Sequence, residues 1–244
     1  MKKREKERSV EKGILERSIL TFHNEGLGAV LRKLRNRLSK PLMHRHLLVL
    51  ELPFTGELPV IEPKIPVTFE ELGESDFGEL IALRPYLTEE VIRLRLGVGH
   101  RVYVGKLDGK IVYTLLVAID KAYIGYLGLA FPLSPYEVYF GEAYTIPEYR
   151  GNHLHPVCMS FMSRTMRQLG YRHAVEFVYP HNQPALRSGY KVGFERKGYL
   201  GFVEGFGIRR YFYLVRGGGF DCLQNAFFVP RDRLVPAELE GQIW

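Results

Sequence analysis

The segment Glu142–Pro156, EAYTIPEYRGNHLHP, decides the fold of this 244-residue chain. It completes a predicted strand, EVYFGEAYTI, turns at PEYRG, and opens a predicted helix over residues 152–169, in which the stretch VCMSFMSRTMRQLG contains no breaker. Because the first amides of a helix lack intrahelical partners and lie at its positive end, such an opening can bind phosphate. At the opening of the helix, glycine would let the backbone approach phosphate closely, but this chain has His153 and His155 at these positions. The segment therefore indicates an anion-binding loop with two departures.

Strands and helices alternate on both sides of this segment. Upstream, IPVTFEEL predicts a strand, Ser75 or Asp76 can cap one helix, and Thr88 can cap a second. The stretch RVYVGKLDGKIVYTLLVAI predicts a hairpin that turns at Asp108 and Gly109. Downstream, HAVEFVY predicts a strand, NQPALRSGYKVG a short helix, and two further strands follow. This order predicts an α+β fold whose central mixed, twisted sheet is flanked by helices.

Charge and proline content divide the chain into three predicted regions. We expect a basic helical extension with a proline-rich linker over 1–60, the main domain over 61–216, and a C-terminal tail over 217–244. The first 50 residues hold 13 Lys/Arg and 5 Asp/Glu, whereas the remainder holds 21 and 22. The net charge of +7 therefore belongs to the extension, and we expect no nucleic-acid partner for the body.

The basic segment 28–40 predicts a short amphipathic helix. It either docks on the core with Arg and Lys facing water, or lies on an anionic membrane surface or an acidic partner. The longest apolar run, Ile111–Ile119, is far below the ~20 residues of a membrane helix, and no secretory h-region follows the basic start. With two cysteines and no CxxC, we expect a cytoplasmic location, or a peripheral one at the inner membrane face.

Three motifs in a fixed order resemble the GNAT superfamily of N-acetyltransferases. They are YTIPEYRGNHLHP (Tyr144–Pro156), Asn182 followed by Ala185, and KVGF (Lys191–Phe194). They match a family pattern of strand, Arg/Gln-x-x-Gly-x-Gly/Ala loop, long helix, strand, Asn and terminal Gly-Phe. The element order over residues 65–216 is similar as well. The form of the loop resembles the members found with enzymes of cell-surface polysaccharide or amino-sugar metabolism.

The resemblance implies an N-acyltransferase that uses acetyl-CoA or another acyl-CoA. The acceptor would be a small-molecule amine, for example an amino sugar, which attacks the thioester directly. In the family, backbone N–H groups of the loop hold the pyrophosphate, the preceding strand faces the thioester and pantetheine, and an Asn binds the pantetheine arm. Carried over to this chain, the implied cofactor-binding residues are Tyr144, Thr145, Ile146, Arg150, Gly151, Asn152, His153, Leu154, His155 and Asn182.

Two residues are candidates for proton transfer. An alkylammonium has no lone pair, so a base must deprotonate it, and Glu142 stands where the family often has a carboxylate. The alternative is an ordinary exposed strand glutamate. Many family members carry a proton-donating Tyr seven residues after the Asn, but that position is Gly189 here. Tyr190 is one step away, a rotation of about 100°, and is either a displaced acid or a packing residue.

The departures leave other functions open. His153 either obstructs phosphate or donates to it, and His-x-His lacks evident further ligands, so we expect no metal site. One alternative function is a GNAT-like binding or scaffold module that has lost its cofactor. Another is an acyltransferase for a longer acyl-CoA or an acyl-carrier protein. The aromatic insert Tyr123–Tyr136 either shapes an acceptor pocket or forms the contact of a homodimer.

Overall fold

The computed structural model describes residues 43–205, 208–215 and 227–228. The chain divides into two compact units, one built from 1–45 and 202–212 and the other from 46–201 and 213–244. The predicted basic helix over 28–40 lies outside the described residues, so its two interpretations stay predictions. Within the described part of the chain, no helix is long and apolar enough to cross a bilayer.

The described elements follow one another in an alternating order. They are β1 (Met43–Pro53), β2 (Thr68–Glu71), α1 (Phe77–Leu83), α2 (Glu89–Gly97), β3 (His100–Leu107), β4 (Lys110–Ala118), β5 (Lys121–Ile124), β6 (Leu129–Pro132), β7 (Glu137–Thr145), α3 (Leu154–Gln168), β8 (His173–Val178), α4 (Gln183–Val192), β9 (Glu195–Gly205), β10 (Ile208–Val215) and β11 (Phe227–Phe228). Short 3-10 helices, Glu74–Asp76 and Pro147–Tyr149, precede α1 and α3.

The larger unit is organised around a sheet with the strand order β9-β1-β8-β7-β4-β3-β2. β7 and β8 are parallel, whereas β1–β8, β2–β3, β3–β4 and β4–β7 are antiparallel. Val102 and Val104 pack with α1 and α2, while Tyr103 between them packs with α3 and α4. Because successive strand side chains point to opposite faces, the two helix pairs cover opposite faces of the sheet. The predicted α+β fold with a helix-flanked mixed sheet is confirmed.

Several local predictions are confirmed by the backbone. Asp108 and Gly109 take φ values of 50° and 78°, as a two-residue hairpin turn requires. The Thr88 hydroxyl caps α2 by accepting from the Val91 N–H at 3.3 Å. Gly193 ends α4 with a φ of 103°, a left-handed conformation that glycine adopts without steric cost.

Two described strands lie in the regions predicted as extension with linker and as tail. β1 lies inside the region 1–60, yet it pairs with β8, with Leu50 opposite Glu176. Its buried apolar residues, Leu47–Leu50 and Leu52, are at most 6% exposed, so this segment belongs to the core sheet. In the predicted tail 217–244, β11 pairs with β6, placing Phe228 opposite Leu129. The predicted insert is itself ordered, because β5 and β6 form a small hairpin.

In the smaller unit, the described residues form contacts around Arg209. Its Nε donates to Glu204 Oε2 at 2.6 Å, and its guanidinium lies 4.1 Å from the centre of the Phe202 ring. Phe202 in turn meets Tyr211 edge to face, with ring centroids 5.7 Å apart. Aromatic packing and a charge-assisted bond therefore hold these strand ends together.

Candidate active-site cleft

The parallel strands β7 and β8 separate and open a cleft. Their register runs from Glu137 opposite His173 to Tyr139 opposite Val175. β7 continues to Thr145 and β8 to Val178. Within the described chain, however, the two strands do not pair beyond Tyr139 and Val175. The space between them is a cleft of about 790 Å³. The backbone groups of β7 that face β8 therefore lack a strand partner there, and they can bind an extended ligand.

A β-bulge shapes the β7 wall of this cleft. Thr114 of β4 lies opposite Tyr144, and Leu116 lies opposite Gly141, so two steps on β4 match three on β7. Leu115 thus opposes both Glu142 and the residue after it, which is the geometry of a bulge. Glu142 takes a φ of 49°, a left-handed conformation that costs a non-glycine residue about 1–2 kcal/mol. Such a conformation persists only where its surroundings hold it.

Two arginines hold the bulge from the α1–α2 face. Arg84, the C-cap of α1, donates from Nη1 to the Glu142 carbonyl at 2.9 Å. Arg95 of α2 donates from Nη1 to Glu142 Oε2 at 2.6 Å. The side chains of Arg95 and Glu142 are 15% and 31% exposed, so this ion pair is partly shielded from water. Glu142 is therefore not an ordinary solvent-facing glutamate, and one of its oxygens is already engaged.

The start of α3 forms the anion-facing end of the cleft. Gly151 and His153 take φ values of 84° and 62°, so His153 adopts the conformation that a glycine would favour. The Val157 N–H donates to the His153 carbonyl at 3.0 Å, and Pro156 has no N–H. The N–H groups of Leu154 and His155, at the first two helical positions, have no intrahelical acceptor. The loop thus keeps its expected shape despite the histidine side chain.

Cations surround this end of the cleft. Arg150 and Lys191 line it beside the loop, and Arg187 lines the cleft one helical turn before Lys191. Lys191 Nζ lies 3.3 Å from His153 Nδ1, where the ammonium can donate to an unprotonated ring nitrogen. Desolvation and the nearby Lys191 and Lys64 lower the pKa of His153, which favours that neutral form at pH 7. The positive charge at this end therefore comes from lysine and arginine rather than from the imidazole.

A buried carboxyl lies where the two strands separate. Glu176 of β8 is 7% exposed, and its Oε2 has no hydrogen-bond partner among the described residues. Burial raises the pKa of Glu176 to about 8 and lowers that of His155 to about 4. The 3.9 Å approach of His155 Nε2 to Glu176 Oε1 is therefore not an ion pair at neutral pH. On its other side, His155 Nδ1 lies 2.7 Å from the Tyr113 hydroxyl.

The structure brings most of the predicted site residues to this one cleft. Glu142, Tyr144, Thr145, Arg150, Gly151, His153, Leu154, His155 and Asn182 line it. Asn182 also caps α4, where its Oδ1 accepts from the Ala185 N–H at 3.3 Å. Ile146 and Asn152 do not line the cleft: the Ile146 N–H donates to the Val112 carbonyl at 3.1 Å, and Asn152 Nδ2 donates to the Tyr149 carbonyl at 3.1 Å. These two residues shape the turn.

Tyr190 does not reach the cleft. Its side chain is 48% exposed on α4, and it is absent from the cleft lining of the described chain. One residue step rotates a side chain by about 100° around a helix, and Gly189 is the residue that faces inward. A Cβ on Gly189 would lie 3.5 Å from Glu176 Oε2 and 3.5 Å from Leu50 Cδ1. The prediction that Tyr190 donates a proton therefore lacks support from this geometry.

Sequence reasoning missed the residues at the inner end and at one side of the cleft. Glu176, Tyr139 and Arg187 line it but were not predicted. The sequence did contain an indication of Glu176. Ala174, Glu176 and Val178 are every second residue of the strand, so a glutamate stands on a strand face that is otherwise apolar. Among residues 43–205, 208–215 and 227–228, no group of three or more His, Cys, Asp or Glu side chains is arranged to hold a metal ion.

Solved structures similar to this chain include acetyltransferases. A protein assigned to the GNAT family from Novosphingobium aromaticivorans has a TM-score of 0.46 at 20% identity, covering 66% of this chain and 65% of its own. The aminoglycoside N-acetyltransferase AAC(6')-Iy, in complex with CoA, has a TM-score of 0.43 at 16% identity and covers 53% and 92%. A glucosamine N-acetyltransferase region of a fungal multi-domain β-N-acetylglucosaminidase has a TM-score of 0.48 at 10% identity and covers 75% and 22%.

No family model matches the chain, and no curated protein matches it. The chain spans 65% of the Novosphingobium protein, slightly less than two thirds of its length. The structures similar to this chain thus include GNAT-family acetyltransferases, the same family that its motifs resemble. Since the TM-scores stay below 0.5, these likenesses do not establish an activity, and function is inferred from the cleft itself.

Proposed function

We propose that this protein is an acyl-CoA-dependent N-acyltransferase that transfers an acetyl group to a small-molecule amine such as an amino sugar. One observation carries the proposal: the unpaired edge of β7 leads from the cationic start of α3 to the point where β7 and β8 separate. Acyl-CoA has the matching order of groups, with a pyrophosphate, an uncharged pantetheine arm and a terminal thioester. A cleft that ends in cations and is walled by backbone groups suits such a molecule.

The start of α3 would hold the pyrophosphate. The N–H groups of Leu154 and His155 are donors at the positive end of the helix, and Gly151 allows close approach. Arg150 and Lys191 would add charge-assisted bonds to phosphate oxygens. Because His153 already adopts the left-handed conformation, its side chain does not prevent the loop from presenting these donors.

The pantetheine arm and thioester would run along β7. Amide groups of the arm can bond to the free backbone groups of this strand, as a peptide does at a sheet edge. The Asn182 amide nitrogen, which the helix cap does not use, is a further donor. The bulge at Glu142 interrupts the register of β7 with β4, so a backbone N–H near Tyr144 would be available to the thioester carbonyl. A donor there would stabilise the negative charge that develops on that oxygen.

The amine would attack the carbonyl carbon once it has lost a proton. Glu142 stays our candidate for the base, acting through Oε1 or a water molecule, since Arg95 occupies Oε2. Acetyl as the acyl group, an amino sugar as the acceptor, and a cytoplasmic or peripheral location are parts of this proposal as well. The basic segment 28–40 and the aromatic insert stay candidates for a membrane or acidic-partner contact and for a homodimer contact.

Calorimetric titration with acetyl-CoA tests the proposal. We expect saturable binding, followed by thiol release when a panel of small amines, amino sugars included, is added. An absence of binding at millimolar acetyl-CoA would overturn the proposal and favour a scaffold role. If acetyl-CoA binds, comparing acetyl with longer acyl chains and with an acyl-carrier protein identifies the donor. Removing residues 1–40 should leave the binding unchanged, because the cleft lining among the described residues comes from 139–191.

A further inference from the structure

We propose that Glu176 is the proton donor to the thiolate that leaves when the acyl group is transferred, an inference that rests on the proposed function. Neither the motifs nor the similar structures assign a role to this residue. Three observations carry it: the position of its carboxyl, with an unpartnered oxygen, where β7 and β8 separate; the direction in which the cleft would orient an acyl-CoA; and the groups around the carboxyl.

The first observation is the position of the side chain. Val175 is the last β8 residue in register with β7, and Glu176 is the next residue along the strand. Its side chain lies on the α3 face of the sheet and lines the cleft, and the residue is only 7% exposed. Oε2 has no hydrogen-bond partner among the described residues, which costs free energy in a buried site. A ligand atom that accepts or donates at Oε2 would recover part of that cost.

The second observation is the direction of the cleft. The cations and the start of α3 lie at one end, and Glu176 lies at the strand separation. An acyl-CoA whose phosphates bind the cationic end therefore brings its thioester end towards the separation. The part of the acyl-CoA nearest to Glu176 is then the reacting thioester rather than the phosphates.

The third observation is that, among the residues the structure describes, no stronger acid and no group charged at neutral pH lies against this carboxyl. The titratable groups near it are His155 from α3 and Tyr113 from β4, with Tyr139 of β7 on the other face of the sheet, whereas α4 presents Gly189 and β1 presents Leu50. Burial raises the pKa of both tyrosines above their ordinary value, so they are weaker acids than the carboxyl. The pKa of Glu176, raised to about 8, keeps it protonated at neutral pH.

In the proposed reaction, Glu176 gives up one proton and regains one. The nitrogen of the free amine bonds to the acyl carbon, and the C–S bond breaks with its electron pair on sulfur. The proton of the Glu176 carboxyl passes to that sulfur, which leaves as the thiol, and Glu176 becomes a carboxylate. The nitrogen loses one proton as the amide forms, and this proton restores the Glu176 carboxyl through water in the cleft.

Glu176→Gln tests the proposal, because glutamine keeps the shape of the side chain but cannot donate this proton. We expect acetyl-CoA affinity within about threefold of the wild type and a kcat lower by about 10²–10⁴. The wild-type kcat should fall above an apparent pKa of about 8, and the variant should lack this decline. Glu62→Gln, an exposed change of the same charge, should match the wild type in both. A variant with wild-type kcat and pH profile would overturn the inference.

A second measurement keeps the inference testable if the variant does not fold. In the wild type with carbon-13 at glutamate carboxyls, one glutamate should titrate with a midpoint near pH 8 in the nuclear magnetic resonance spectrum. If every glutamate is ionised at pH 6, the inference fails. The proposed function fails separately, when the wild-type protein neither binds acetyl-CoA nor releases thiol.

Discussion

Arg95 Nη1 lies 2.6 Å from Oε2 of Glu142, the residue that the sequence suggests as the catalytic base. The pair joins α2 to the bulge of β7, where Glu142 has a φ of 49°. The bulged wall of the cleft is therefore held by a helix on the opposite face of the sheet from α3. This connection makes the shape of the candidate cleft depend on the α1–α2 pair.

Removing this connection should destabilise the protein. Arg95→Met leaves a partly buried carboxylate without its partner, so we expect the free energy of unfolding to fall by about 1–3 kcal/mol. The matched control is Arg93→Met on the same helix, whose ion pairs with Glu74 and Glu89 are exposed. Its loss should be much smaller, because water screens exposed pairs. Urea denaturation measures both, and equal losses would show that Arg95 does not hold the bulge.

His153 offers a test of the loop backbone. His153→Gly removes a Cβ from a left-handed position, so acetyl-CoA should bind equally well or more tightly. His153→Ala keeps the Cβ and should be less thermally stable than the glycine variant. Calorimetry and thermal unfolding measure the two effects. A large loss of affinity in both variants would instead identify the imidazole as a phosphate ligand.

The cationic end of the cleft should dominate cofactor affinity. Lys191→Met removes one charge that faces the proposed phosphate site, and we expect acetyl-CoA to bind about tenfold more weakly. The dependence of affinity on salt concentration should also become shallower, because fewer charges are screened. Lys110→Met, at the exposed first residue of β4, is the control and should change neither quantity. If both variants weaken binding equally, the effect comes from net charge rather than from the site.

Two glycines should differ sharply in their tolerance of alanine. A Cβ on Gly141 would collide with the ring of Tyr139, which is itself buried, so Gly141→Ala should destabilise the protein. A Cβ on Gly189 would meet its neighbours at ordinary contact distances of 3.5–3.6 Å. Because alanine also favours helix, Gly189→Ala should keep or raise stability. Comparing the two melting temperatures checks this, and a fully stable Gly141→Ala protein would contradict the bulge geometry.

The buried carboxyl should make stability depend on pH. The pKa of Glu176 is raised to about 8 in the folded state, so the folded protein binds a proton that the unfolded chain releases near pH 4–5. Its stability should therefore fall as pH rises towards 8 and level off above it. Glu176→Gln should remove this fall over pH 6.5–8.

His155, with a folded pKa of about 4, acts oppositely: stability is lost as pH falls from about 6.5 to 4. Urea denaturation across pH measures both, and parallel curves for wild type and Glu176→Gln would contradict it.

Local signals allowed much of the fold to be predicted. The Asp108-Gly109 turn, the Thr88 cap and the helix after the loop depend on neighbouring residues, and the structure has each of them. β1 was missed because Pro53 and the prolines after it indicate a linker, while the strand's partner β8 lies far along the chain. Its burial depends on that distant pairing, which composition does not reveal.

By itself, the sequence determined the succession of strand, loop and helix around Glu142–Pro156, because turns, caps and periodicity follow from local backbone preferences. Only the tertiary structure decided which side chains meet. It placed Glu176 beside His155, tied Glu142 to Arg95, and turned Tyr190 to the surface. The physical reason is that these contacts depend on the register of β7 with its neighbours, and one bulge or one helical step changes which face a side chain occupies.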